Sequence, residues 1–422
     1  MTEEFLQFVW EQRLFDPSGL FTLSGEKVVI IETGMRNDNA GPDFFNARIR
    51  LGETLWAGNV EIHVHSSDWY KHGHQHDRAY DNIILHVVQK QDKPVFRADG
   101  EAIPTLELPY PEKIRENYRE LLEANTWIPC EKKISHTDRF ILKIGYNRLM
   151  IDRLDEKTGE ITDRLSRNNH DWNETFYHLL ARNFGFKTNA LPFEMTARAL
   201  PSSIPGKHRD NLHQLEALFF GQSGLLHEEL LGDDYFLELR REFDFLAKKY
   251  DLHPLPGHIW KFHRLRPVNF PTLRIAQFAA LFHQSESLFS HVTGTTDIRE
   301  IRRLFQVAAS PYWNTHFRFN LPSPDQVKHL GNEAIDNLII NTLVPFVFVY
   351  GNQTQADYLK DKALMWLEAL PAEANSVISR WSALGATPES AFESQALLQL
   401  KNRYCNLKRC LQCHIGTKIV IG

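Results

Sequence analysis

The chain has 422 residues, 42% hydrophobic and 24% charged, with 48 Lys plus Arg against 53 Asp plus Glu and a formal net charge of -5. That length allows two or three domains, and that composition excludes a disordered or low-complexity protein. The acidic balance excludes a generally basic nucleic-acid binder, so contact with nucleic acid would have to use a local basic groove.

The opening sequence MTEEFLQFVWEQRLFD lacks the positive, apolar and small-residue regions of an export signal, which predicts a cytoplasmic protein. The run Leu338 to Tyr350 is shorter than a bilayer span and is expected to be a buried core helix, with no membrane partner. With four Cys and no export signal, metal binding takes precedence over disulfides for any Cys cluster.

Thr2 to Phe15 reads as a helix capped by Thr2, with Phe5, Phe8, Val9 and Trp10 on its apolar face. Lys27 to Ile31 reads as a β-branched strand, followed by a polar loop over 35–42. Phe44 to Leu51 and Leu55 to His65 read as two strands joined at Gly52-Glu53-Thr54. The second alternates: Trp56, Gly58, Val60, Ile62 and Val64 on one face, Ala57, Asn59, Glu61, His63 and His65 on the other. A polar link carries His72, His74 and His76, read as a His-rich loop without a specific role. Asn82 to Val88 is a buried-type strand, and Asp99-Gly100 suits a type I′ hairpin turn. From Pro111 the pattern turns helical: Glu112 to Ala124, Asp138 to Arg167 and Trp172 to Asn183, continuing with Pro/Gly breaks to about residue 411. The expected fold is α+β, a mixed sheet in α-β-β-β-α-β order followed by a mostly helical domain. The expected division is 1–110, a linker over 111–136 that contains Cys130, and 137–422.

The sharpest chemical signal is Gly41-Pro42-Asp43 before one strand and Glu61-Ile62-His63 within the next. Residues two apart on a strand share a face, and Asp43 can approach that face from the neighbouring strand. Two converging carboxylates suit Mg²⁺ or Mn²⁺. Pro-Asp, a second strand and Glu-x-His resemble the PD-(D/E)xK nuclease superfamily, with His63 where Lys is usual. The resemblance implies a divalent-metal phosphodiesterase acting on nucleic acid, with Asp43 and Glu61 as metal ligands, His63 positioning or deprotonating water, and Glu11 as a helix carboxylate. A non-catalytic nucleic-acid- or protein-binding scaffold is the alternative, as is a zinc hydrolase using His63, His65 and neighbours, since His72, His74, His76, Asp77 and His86 crowd the same region. Nearly the whole chain also resembles an uncharacterised bacterial family, through NAGPDFFNARI, WAGNVEIHVHSSDW, HDRAYDNIILHVV, RLRPVNFPTLRIAQ and CLQCHIG; that resemblance implies no activity.

Cys405-x4-Cys410-x2-Cys413 gathers three of the four Cys, with Cys130 or His414 as a fourth ligand for zinc or an iron–sulfur cluster. The basic segment Lys261-Phe-His-Arg-Leu-Arg-Pro267 with Arg274 offers Arg264, Arg266 and Arg274 as nucleic-acid contacts. The helical domain is the expected surface for a protein partner, and oligomeric state is open.

Overall fold

The structure is a computed structural model and describes residues 2–37, 39–136, 139–227 and 232–422. The chain forms two compact units. The first combines residues 2–145 with Leu400–Gly422, and the second is Tyr146–Gln399. The expected division at 110/111 thus differs from the observed grouping, in which the last 23 residues fold with the N-terminal sheet.

In the first unit, helix α1 (Glu3–Glu11) buries Phe5, Leu6, Phe8, Val9 and Trp10. Thr2 precedes it but makes no side-chain cap. The strands are β1 (Val28–Glu32), β2 (Met35–Arg36), β3 (Phe44–Leu51), β4 (Thr54–His65), β5 (Ile83–Lys90) and β6 (Thr105–Glu107). Their order is β1-β3-β4-β5-β6, with β2 also on β3. The β1, β3 and β4 strands are antiparallel neighbours, whereas β4–β5 and β5–β6 are parallel. The mixed sheet matches the expected α+β class, and the order differs from the expected α-β-β-β-α-β only by two short strands, β2 and β6. Asp38, in the loop expected over 35–42, lies outside the described residues.

The β3–β4 hairpin turns tightly, with Leu51 opposite Thr54 and Gly52 at φ 55°, in the left-handed region that glycine enters without steric cost. Near its open end, Phe44 faces Val60 but Ala47 already faces Gly58, so β3 holds one extra residue. Asn46 takes φ 57° at this bulge. Such bulges re-aim neighbouring side chains, and Asp43 is the residue just before β3. The Asp99-Gly100 turn forms with Gly100 at φ 86°, but the Gly100 N–H bonds the Arg97 carbonyl and Arg97 pairs with Glu101, a longer loop than a two-residue type I′ turn.

A parallel pair requires a crossover, and here it is short: helix α2 (Asp68–Lys71) and two 3-10 turns, His74–His76 and Arg78–Tyr80. Trp69, Tyr80, Ile83, Val95 and Ile103 pack into a small core beneath it. This crossover changes the expectation for β4. Its Glu/His face is covered, so Glu61 is 5% exposed and His63 1%, while Trp56 near the other end is 44% exposed. Helix α3 (Glu112–Glu123) follows, and the last helix (His414–Ile421) lies against it, with Asn117 donating to the Val420 carbonyl.

Among the described residues, the regular structure of the second unit is helical apart from a small hairpin, His316–Arg318 with Leu321–Pro322. It includes most of helix α4 (Arg139–Arg167) and helix α5 (Trp172–Phe184), with a large apolar core that contains Phe184, Phe220, Phe236, Trp313 and Trp366. Asp138, expected to open α4, lies outside the described residues. The apolar run read as Leu338 to Tyr350 belongs to a longer helical stretch, Asn332–Gln353, with a π-helical turn at Ile339–Leu343. By length and composition this stretch could cross a membrane; 67% of its most apolar window is buried inside the protein, as in a core helix.

Candidate metal centre

The centre is built where three segments meet β4. Asp43 and Glu61 brace each other across the β3–β4 hairpin: the Asp43 N–H donates to Glu61 Oε2 at 3.1 Å, and Asp43 Oδ2 accepts from the Ile62 N–H at 3.0 Å. From α1, Gln7 donates to Asp43 Oδ1 at 2.8 Å. From the crossover, His74 Nε2 comes within 3.2 Å of Glu61 Oε1, and His63 Nε2 lies 3.6 Å from the same oxygen. His63 then links to His86 on β5 (Nδ1 to Nε2, 2.8 Å) and to His72 (Nε2 to Nδ1, 3.1 Å). The parallel register places Glu61 directly beside His86. Potential ligand nitrogens of His63, His72 and His74 all lie within 4.8 Å of one another.

Burial sets the electrostatics. Desolvation, then repulsion from Glu61, pushes Asp43 up to about 7. Desolvation likewise pushes Glu61 up to about 8, with Glu3 adding to it. Desolvation, reinforced by the neighbouring imidazoles, depresses His63 to about 2 and His86 to about 3, and it also lowers His74. The imidazoles are therefore neutral with lone pairs to give, and the carboxylates are poorly compensated. His74 Nε2 and His86 Nδ1 are buried without a hydrogen bond. Neutral imidazoles and under-compensated carboxylates in one buried place form a donor set that fits a divalent cation. Three nitrogens and a carboxylate oxygen suit a transition metal better than Mg²⁺, which prefers oxygen and retained water. Tyr80 stacks on His74 with ring centroids 3.8 Å apart, and Trp69 meets His74 and His86, so the imidazoles are held in place by aromatic rings.

The structure brings Asp43, Glu61 and His63 together. Glu11 stands apart: it is exposed and lies 3.6 Å from Arg36, which in turn donates to Gln7. The α1 residue that touches Asp43 is Gln7, one helical turn earlier, and Glu3 is near enough to influence Glu61. His65 is half exposed and turns towards Asp68. His72 and His74, read from sequence as incidental, line the centre, and His86, read from sequence only as one of the histidines crowding this region, adjoins it through His63. The available signal was the His-x-His spacing of 72 and 74, with Gly73 at φ 76° reversing the chain between them.

Arg274 corrects another expectation. It is 6% exposed, bonded to Gln277 and Asn269, and stacked over Phe186, so it is not a phosphate contact. Arg264 and Arg266 are exposed. A cleft of about 550 Å³ in the first unit has Lys90, Arg115 and Arg119 in its wall together with Val64 and His65, adjacent on β4 to His63. Cys130, Cys405, Cys410 and Cys413 all belong to the first unit, none of them in a disulfide.

No curated protein and no solved structure matches the chain. The family described as "Protein of unknown function (DUF2851)" matches residues 3–376, a span that contains every residue of the imidazole–carboxylate centre, and the chain belongs to that family.

Proposed function

We propose that this protein is a metal-dependent phosphodiesterase acting on nucleic acid, with a transition-metal centre held by Glu61, His63, His72 and His74. The observation that carries the proposal is the convergence of three imidazoles and the Asp43–Glu61 pair in one buried cluster. The α-β-β-β-α-β sheet, with Pro-Asp before one strand and Glu-x-His in the next, resembles the PD-(D/E)xK nucleases and supports phosphoryl chemistry. The nitrogen-rich donors favour Mn²⁺, Fe²⁺ or Zn²⁺ over the Mg²⁺ expected from the two carboxylates alone.

When bound, the metal would supply Lewis acidity, activating water and stabilising charge on a phosphoryl oxygen. The chain's own groups do the rest. Asp43 fixes Glu61 through its backbone N–H, and Gln7 holds Asp43. His86 sets the orientation of the His63 ring, as outer partners of ligating imidazoles do. Lys90, Arg115 and Arg119 give the adjacent cleft the local positive charge that an acidic protein needs to receive a phosphate backbone.

One observation favours a second reading, a zinc hydrolase of another substrate class: three imidazoles are the donor set of hydrolytic zinc sites. The test is cleavage of single- and double-stranded DNA and RNA by metal-stripped protein resupplied with Mg²⁺, Mn²⁺, Fe²⁺ or Zn²⁺, beside Glu61→Ala. Cleavage with a transition metal, lost in Glu61→Ala, is the expected result. Metal binding without cleavage of any nucleic acid would overturn the phosphodiesterase reading and leave the hydrolase or a binding scaffold.

A further inference from the structure

The second unit holds a polar cleft of about 380 Å³, within the roughly 300–1,000 Å³ range of small-molecule sites. Three helical segments wall it. α4 brings Lys157, Glu160 and Arg164, at spacings of three and four that share one helix face. The end of α5 and the turn after it bring Arg182, Asn183, Phe186 and Lys187. The stretch Asn332–Gln353 brings Asn337, Asn341 and Pro345.

Pro345 accounts for the backbone of the third wall. It has no N–H, so the carbonyl four residues earlier, that of Asn341, loses its α-helical partner, and the helix widens into the π-helical turn Ile339–Leu343. Asn183 fills the gap: its amide donates to the Asn341 carbonyl at 3.3 Å. The Asn341 side chain in turn donates to the Asn337 carbonyl at 3.1 Å. Turns of this kind are rare and are frequent at functional sites.

The cations are held from behind. Glu194, on the helix Ala190–Ala199, is 4% exposed. It accepts from Arg164 and, at 2.6 Å, from Arg198 on Oε1, and from Arg182 at 2.6 Å on Oε2. A guanidinium has five N–H donors. Arg164 and Arg182 each give one nitrogen to Glu194, so both keep donors for the cleft they line. Lys157 pairs with Glu160 at 2.8 Å, and Lys187 is exposed and in no ion pair among the described residues. Four cations in the wall thus meet two carboxylates, Glu160 beside them and Glu194 behind, which leaves a local positive excess in a chain whose net charge is -5. Guanidinium forks with a free ammonium are the donor set for phosphate oxygens. The Asn side chains and Phe186 add neutral polar and apolar wall, so the cleft suits a phosphate carried on a larger molecule.

We propose that this cleft binds a terminal phosphate or diphosphate through Arg164, Arg182 and Lys187, carried by a small molecule or by the end of a nucleic-acid strand. The site is independent of the chemistry at Glu61.

The test is calorimetric titration of inorganic phosphate and of pyrophosphate into full-length, metal-stripped protein at constant ionic strength. Lys187→Gln and Arg182→Gln are measured beside it, with Lys248→Gln, at an exposed position of the same unit, as the control. The expected result is saturable pyrophosphate binding, at least tenfold weaker in Lys187→Gln and Arg182→Gln and unchanged in Lys248→Gln. Displacement of bound pyrophosphate by a 5′-phosphorylated single strand identifies a strand end as the source; no displacement identifies a small molecule. Absence of saturable binding of either anion at millimolar concentration would overturn the proposal, as would equal affinity in wild type and Lys187→Gln. Lys187 is exposed, so that variant keeps the test decisive if Arg182→Gln, which takes a partner from Glu194, does not fold.

Discussion

Nε2 of His74 lies 3.2 Å from Oε1 of Glu61, yet that buried nitrogen makes no hydrogen bond. A lone pair facing a carboxylate oxygen is unfavourable unless a proton or a metal ion lies between them. Replacing His74 with Ala is therefore expected to weaken Mn²⁺ or Zn²⁺ binding at least tenfold, about 1.4 kcal/mol. His65→Ala, at a half-exposed imidazole on the same strand as Glu61, should leave the affinity unchanged. Isothermal titration of metal into both variants checks this; equal affinities would remove His74 from the ligand set.

Glu61 gives a prediction of opposite signs. In metal-free protein its carboxyl, beside Asp43, is pushed up to about 8, and above that pH it would bury an unpaired charge, which is costly. Glu61→Gln keeps an oxygen for the Asp43 N–H and removes that charge, so the metal-free variant should melt no lower than wild type. Wild type should gain about 2.7 kcal/mol of stability at a metal concentration a hundred times the Kd, and the variant should gain almost none. Thermal melts with and without metal read both effects. A wild type indifferent to every divalent ion would end the metal assignment.

Arg274 separates a structural from a binding role. Its guanidinium is held by Gln277 on its own helix, Pro271–Gln284, and by Asn269 just before it, and burial lowers it to about 10. Arg274→Ala should cost about 2–4 kcal/mol of stability in denaturant unfolding, the range for truncating a large buried side chain. Ala at exposed Arg264 or Arg266 should cost no more than about 0.5 kcal/mol. If Arg274→Ala unfolds at the wild-type midpoint, its interactions are dispensable.

Glu216 predicts a pH dependence within the second unit. It is fully buried, accepts hydrogen bonds from Tyr235 and Ser310, and is pushed by desolvation to about 7 from an ordinary 4.5. A raised carboxyl favours the protonated fold. Its stabilising contribution is complete below pH 4.5 and lost as pH rises through 7, by about 3 kcal/mol at roughly 1.4 kcal/mol per unit. Glu216→Gln should flatten the decline in melting temperature between pH 5 and 8. An unchanged slope would show that Glu216 does not titrate in this range.

Phe44–Leu51 was legible from sequence to the residue, and β4, β5 and the long helices to within a few, because period and β-branching are local properties. The pairing of Glu61 with His63 was legible for the same reason. Their burial was not, because the cover comes from a crossover that sequence shows only as a polar link. His72 and His74 reach the centre through a left-handed turn at Gly73, which no periodicity encodes. Glu11 was read one turn too far along α1, since a helical face fixes spacing but not which turn meets Asp43. Arg274 looked like part of a basic surface run, but its helix is buried from Pro271 to Phe282.

The first unit takes its parts from both sides of Tyr146–Gln399. A ribosome releases the sheet and its imidazole cluster early, then the whole helical unit, and only after it the segment that lies against α3. Chains fold progressively as they emerge, so the α3 face that meets the helix His414–Ile421 stays uncovered until the helical unit has been made. The N-terminal unit, first to begin folding, is the last to be finished.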